Sequence, residues 1–156
     1  MKYIEIKQSL NRLLKKKYPD LKIYGKEIKE GYEAPCFFTE IVQAQAKAQN
    51  KNFEKISFTL SITYFQKIKS ELDQLKKIDE IKELFGMKFQ VGNHLITTGE
   101  YTFDFIGEYS DILRISIEFE YLEAKQREER GEKMEEIKID LKIRKEREDG
   151  RTRSNN

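Results

Sequence analysis

Two pairs of side chains in this 156-residue sequence are of types that could do chemistry: Cys36 with His94, and Glu118 with Glu120. A thiol beside an imidazole can form a nucleophilic dyad, because the imidazole takes up the thiol proton. Neither residue stands in a local nucleophile motif, and the sequence holds one cysteine and one histidine in all. That count also excludes an internal disulfide and a zinc-finger ligand set. Cys36, followed by Phe37 and Phe38, reads as a small buried hydrophobe. His94, after Gly92 and Asn93, reads as a turn residue. Two carboxylates could divide acid and base roles in a hydrolysis. Glu118 and Glu120, however, sit at i, i+2 on the polar face of a strand that also carries Arg114, the pattern of solvated or neighbour-paired charges. The eight glycines are scattered singly, so no phosphate-cradling loop is formed. Lys15, Lys16 and Lys17, near Tyr18 and Tyr24, could touch nucleic acid. Placed at the end of a helix, they complement its negative pole instead. No catalytic, metal-binding or cofactor-binding residue is assigned, and no cofactor is expected.

The elements that carry these residues are legible in the hydropathy pattern. Ile6, Leu10, Leu13 and Leu14 form the stripe of an amphipathic helix over Tyr3 to Tyr18, stopped by Pro19. Leu21 to Ile28 alternates loosely as a short strand. Pro35, which has no N–H to donate, suits the start of the next strand, running from Phe37 to Lys47. Asn50 to Asn52 is a polar turn. From Phe53 to Phe65 the period is two: Ile56, Phe58, Leu60, Ile62 and Tyr64 point one way, and Ser57, Thr59, Ser61 and Thr63 the other. The hydroxyl face suits a half-covered surface that packs on a neighbour or lines a lumen. Ser70 and Asp73 resemble a capping box. Leu72, Leu75, Ile78, Ile81, Leu84 and Phe85 then give a second helix ending at Gly86. Met87 to Val91 and Leu95 to Ile106 read as a hairpin turning at Gly92 and Asn93. Leu113 to Tyr121 is a further half-buried strand. Helix, three strands, helix, three strands is an α+β order: an antiparallel sheet with both helices on one face.

Beyond Ala124 the sequence is charged as far as Glu136. Ile137, Ile139, Leu141 and Ile143 then alternate with Lys138, Asp140, Lys142 and Arg144 as an extra strand. Such a strand closes its own sheet edge or adds to another subunit. The chain divides into an α+β domain over 1–124, a connection and strand over 125–145, and a tail over 146–156 expected to be disordered. Thirty Lys and Arg balance 28 Asp and Glu, a net charge of +2. That disfavours nucleic-acid binding through a broad basic surface. The longest apolar runs fall far short of the roughly 20 residues needed to cross a bilayer. No secretory leader pattern opens the chain, so a cytosolic protein is expected.

One set of residues carries a resemblance: Ile23-Tyr24-Gly25-Lys26-Glu27-Ile28, Gly31-Tyr32, Pro35-Cys36-Phe37-Phe38 and Ile62-Thr63-Tyr64-Phe65. The pattern resembles the small tail terminator proteins encoded in the tail-gene clusters of prophages and phage-like particles of Gram-positive bacteria. It extends over residues 5 to 122. Tyr24, Gly25, Glu27, Pro35, Cys36, Phe37, Phe38, Tyr64 and Phe65 would serve packing and turn geometry, Gly25 allowing a bend and Pro35 setting a strand start. The resemblance implies a ring, a hexamer, that caps the head-proximal end of the tail tube, stops its polymerisation and offers a surface to the head. The partners implied are further copies of the chain, the tail tube protein and a neck or head-completion protein, with DNA passing through the lumen unbound. The implied location is the host bacterial cytoplasm during assembly, then the tail of a virion or phage-like particle. Members of the family end soon after the strand that here ends near Tyr121, so the remainder is an extension.

Arg114, Glu118, Glu120, Lys138, Asp140 and Lys142 are the candidate subunit-interface charges, able to pair across a repeated contact and reject wrong registers. Three other readings stay open. A head–tail joining or completion protein needs the same kind of small ring-forming domain. A small hydrolase would depend on Glu118 or Glu120. A nucleic-acid-binding module would show salt-dependent binding.

Overall fold

A computed structural model describes residues 2–125. The elements are α1 (Tyr3–Lys17), β1 (Lys22–Tyr24), β2 (Cys36–Ala48), β3 (Phe53–Phe65), α2 (Glu71–Phe85), β4 (Lys88–Val91), β5 (His94–Ile106) and β6 (Ile112–Ala124), the expected α+β order. The stripe of α1 buries Ile6, Leu10 and Leu14 completely. Lys15 in its last turn donates from Nζ to the Leu21 carbonyl at 2.9 Å. That bond ties the last turn of α1 to the chain entering β1. In α2 the Ser70 hydroxyl accepts the Asp73 amide at 3.3 Å, satisfying an otherwise orphaned donor. The helix stops at Gly86, whose φ of 58° and ψ of −147° belong to a region that glycine alone enters without strain.

The six strands form one sheet in the order β1-β2-β3-β6-β5-β4. The pairs β2–β3, β4–β5 and β5–β6 are antiparallel, as expected. β1 departs from this: it runs parallel to β2, with Lys22 opposite Cys36 and Tyr24 opposite Phe38, so the sheet is mixed. The strand expected over Leu21–Ile28 keeps only three residues, because the Ile28 amide donates to the Gly25 carbonyl and closes a turn. Three residues are too few to carry a readable alternation, and direction is set by the path from Gly25 to Pro35. His94, expected in a turn, is the first residue of β5 and pairs with Val91.

Both helices cover one face. Alternate residues of β3 (Ile56, Phe58, Leu60, Ile62) and β6 (Leu113, Ile115, Ile117, Phe119) join Ile6, Leu10, Leu14, Ile81 and Phe85 in one core. Phe58, Phe85, Phe89 and Phe119 meet there with ring centroids 5.3–5.9 Å apart. The α2 stripe is placed differently from expectation: Leu72 is 79% and Leu75 44% exposed, whereas Gln74 is buried. Gln74 Nε2 donates to the Asp111 carbonyl at 2.8 Å, so the first turn of α2 turns a polar side chain inward. Register slips occur between Ile41 and Gln43 in β2 and between Thr98 and Tyr101 in β5. The strand expected over residues 137–143 and the tail over 146–156 lie outside the described residues.

Candidate functional site

The pairs singled out for chemistry are kept apart or held by neighbours. β2, bearing Cys36, and β5, bearing His94, are separated in the sheet by β3 and β6. Three strand spacings of roughly 4.8 Å each prevent a thiol–imidazole hydrogen bond. Cys36 is fully buried, and burial pushes its thiol pKa up, away from the reactive thiolate. His94 packs edge-on against Tyr121 at 5.5 Å. Glu120 pairs with Lys55 at 2.9 Å, and Arg114 reaches Asp104 at 3.6 Å. These half-exposed pairs across neighbouring strands each contribute at most about 1 kcal/mol. Among the described residues no group of three or more His, Cys, Asp or Glu is placed to hold a metal ion.

The motif residues, in contrast, converge. Pro35 stands immediately before β2, and the β2–β3 register sets Cys36 opposite Phe65 and Phe37 opposite Tyr64. Strand alternation then sends Phe37 and Tyr64 to the helix side and Phe38 and Phe65 to the other. On the far side Phe38 lies 5.3 Å from Tyr24 and 5.2 Å from Phe65. Tyr32, from the loop between β1 and β2, touches both Phe38 and Phe65 at 5.2 and 5.1 Å. The four rings therefore fasten that loop to the sheet. At Gly25 the backbone is not left-handed. What occupies the space of its missing Cβ is the Glu27 carboxylate, 2.5 Å from the position a Cβ would take.

On the helix side Phe37 lies 5.2 Å from both Tyr18 and Tyr64. A polar latch continues from these rings. Tyr64 Oη donates to Asp73 Oδ2 at 2.6 Å, Gln66 Nε2 donates to the same oxygen at 2.9 Å, and Lys77 Nζ donates to Oδ1 at 3.0 Å. Tyr18 Oη donates to Glu80 at 2.7 Å, and the Lys77 ammonium lies 5.4 Å from the Tyr18 ring centre and 5.1 Å from that of Tyr64. The latch joins α1, β3 and α2. Burial and hydrogen bonds to carboxylates push both phenol pKa values well up. Burial alone would raise the Asp73 carboxyl, but the hydrogen bonds from Tyr64, Gln66 and Lys77 outweigh it and bring its pKa to about 2 from 3.8. A folded-state pKa below the unfolded one stabilises the fold above pH 3.8, and that share is lost as the pH falls through 2. With a third of the side chain exposed, it amounts to about 1 kcal/mol. Urea titrations should therefore show the stability gap between wild type and Asp73→Asn narrowing by about 1 kcal/mol from pH 5 to pH 2. A gap that stays constant would remove the charge of Asp73 from the latch.

The face away from the helices carries the small hydroxyls of β3. Ser57 and Thr59, with Gln43 and Gln45 from β2, Gly99 from β5 and Glu118 and Glu120 from β6, line a groove of about 270 Å³. The candidate interface residues Glu118 and Glu120 thus share one surface with the hydroxyl strip, and Arg114 follows on the same side of β6. Lys138, Asp140 and Lys142 lie outside the described residues. A second surface escaped sequence reasoning. Ile68 and Leu72 are 81% and 79% exposed beside a cavity of about 500 Å³ lined by Gln66, Lys69, Ser70, Gln74, Phe105 and Asp111. The signal was available only in part: Leu72 and Leu75 fit the helical stripe, and nothing in the pattern reveals that Gln74 displaces them from the core.

A family model described as "Phage tail terminator protein" matches residues 5–131. No curated protein matches the chain. One solved structure aligns over 83% of this chain and 99% of its own length, at 14% identity and a TM-score of 0.43, a likeness too slight to carry an argument.

Proposed function

The chain belongs to the phage tail terminator family, and from that premise we propose that it forms a closed hexameric ring at the head-proximal end of a tail tube. There it would stop polymerisation of the tube and present a docking surface to the head. The observation that carries this reading is the family match, which spans all the described elements from the first turn of α1 to the end of β6. The surface supports it: Ile68, Leu72, Met87, Leu95 and Leu122 each expose more than half of their area. Of these, Leu95 and Leu122 share one surface groove with Lys55, His94 and Tyr121, and contiguous exposed apolar side chains mark contact surfaces. Identical copies would meet through a heterologous contact whose rotation closes, turning an open-ended tube into a finite object. A near-neutral net charge suits a lumen through which DNA slides without being held. The ring would assemble in the host cytoplasm and remain in the tail of the particle. No described helix is long and apolar enough to cross a membrane.

Electron microscopy of particles lacking the protein, with native mass measurement of the full chain, tests this reading. Overlong tails and a closed oligomer are expected. Normal tails detached from heads would identify a head–tail joining protein instead. A monomer whose absence leaves tails unchanged would overturn both.

A further inference from the structure

The outer edge of β5 is covered by β4 only from His94 to Thr97. Past the register slip, which takes in Gly99 and Glu100, the stretch Tyr101–Ile106 has β6 on one side and no strand on the other among the described residues, and Glu100 leads into it. A row of unpaired N–H and C=O groups on such an edge is a template for strand addition. The edge has a definite pattern. Glu100, Thr102 and Asp104 alternate on the polar face, and Tyr101, Phe103 and Phe105 on the apolar face, with Phe105 39% exposed.

The sequence contains a segment with the complementary pattern. Ile137–Ile143 is seven residues long, as is Glu100–Ile106, and alternates Lys138, Asp140, Lys142 with Ile137, Ile139, Leu141, Ile143. We propose that residues 137–143 of one copy add as a strand to the open edge Glu100–Ile106 of the next copy. With Asp140 opposite Thr102, each of Lys138 and Lys142 meets Glu100 or Asp104 whichever way the added strand runs. Ile139 and Leu141 then lie against Tyr101 and Phe103 on the apolar face. Cross-strand opposite charges and aromatic–aliphatic pairs of this kind stabilise a sheet. Asp104 already reaches Arg114 at 3.6 Å, and a lysine on its other side would complete a chain of alternating charge.

Reach allows a second copy as the acceptor. Eleven residues, Gln126 to Glu136, separate Lys125 from Ile137, and Met134 is their one apolar side chain. Extended, such a connection spans up to ~40 Å, more than the roughly 28 Å that is twice the radius of gyration of a 125-residue domain. Its composition suits a path through water. Because arm and edge are different surfaces of one chain, each copy donates once and accepts once, the condition for a heterologous contact that closes. This deepens the ring reading, since it names what joins one copy to the next.

The test mixes full-length Thr102→Cys chains with full-length Asp140→Cys chains under mild oxidation; the native Cys36 is fully buried and stays out of the exchange. Linked dimers should form about tenfold faster than with Ser154→Cys as donor, and Leu141→Pro in the donor should abolish the advantage, since proline cannot complete a ladder. As a second measurement, amide exchange at Tyr101–Phe105 in the unmodified chain should slow by about tenfold as protein concentration rises. Linking confined to the Thr102→Cys/Asp140→Cys double variant, linking at the control rate, or exchange independent of concentration would overturn the arm. The ring reading is judged separately, by native mass and tail length. A ring that persists with Leu141→Pro overturns the arm and leaves the ring standing.

Discussion

Phe37→Ala is expected to lower the stability of the chain by about 3–5 kcal/mol, the range for emptying a fully buried phenylalanine site. Phe37 is completely buried. Its ring lies between Tyr18 at the end of α1 and Tyr64 of β3, while its backbone pairs with Ile23 of β1 on one side and Tyr64 on the other. One residue therefore joins four elements, α1 and β3 to β2 through its ring and β1 through its backbone, and those elements differ in their other supports. β1 has three residues and a single partner strand, so it depends on this junction more than β3 does. Against a total of roughly 5–15 kcal/mol for a domain, the loss is about a fifth of the margin or more. Thermal unfolding followed by calorimetry should show a drop of ten degrees or more, at about 4 °C per kcal/mol. Phe38→Ala, one residue along and on the opposite face, removes a ring from a partly solvated cluster and should cost about half as much. Equal effects, or a Phe37→Ala loss below about 1 kcal/mol, would show that the helix-side junction is not the anchor described.

The second large effect is functional and comes without loss of stability. Ile68→Glu and Leu72→Glu together should leave the melting temperature almost unchanged, because substitutions at side chains this exposed stay within about 0.5 kcal/mol each. The same variant should fail to restore normal tail length to particles lacking the protein. The reasoning is energetic. Burying a leucine- or isoleucine-sized side chain at a contact is worth about 1.5–3 kcal/mol, and a glutamate in its place adds the cost of desolvating an unpaired charge. Two such changes on one patch reduce an association by several orders of magnitude. A variant that folds and restores tail length fully would show that this patch serves no contact in assembly.

These two predictions also mark where the sequence could be read and where it could not. Phe37 sits in the motif Pro35-Cys36-Phe37-Phe38, and alternation in β3 assigned Tyr64 to the core side. The motif residues of the junction are legible in the sequence, although nothing there sets Phe37 rather than Cys36 toward the helices. The Leu72 surface was not, because amphipathic periodicity assumes that apolar side chains face inward. Here Gln74 makes a specific bond to the Asp111 carbonyl, so a polar partner distant in sequence decides the orientation of the first turn of α2. Parallel pairing of β1 was illegible for a related reason: three residues carry no period, and the Tyr24–Phe38 and Tyr32–Phe65 contacts that fix the loop are long-range. Cys36 and His94 stand on strands separated by β3 and β6; packing accounts for Cys36, whereas His94, expected in a turn, opens β5. Of the interface charges, Glu120 and Arg114 already have partners within the chain, which sequence alone could not reveal.

The slip between Ile41 and Gln43 divides β2 into two lengths with different obligations. Cys36 to Thr39 are rooted in the core, while Val42 to Ala48 are exposed throughout, with Gln43 to Ala48 still paired to β3. A mutation in the outer length changes neither core volume nor helix packing, so thermal denaturation would be nearly blind to it. Selection could therefore rework Gln43 through Ala48, residue by residue, to follow changes in whatever surface they touch, while the rooted length keeps its sequence. The two halves of one strand can diverge at different rates, and a survey of variants scored for tail length alongside melting temperature would find the two scores uncoupled in the outer half.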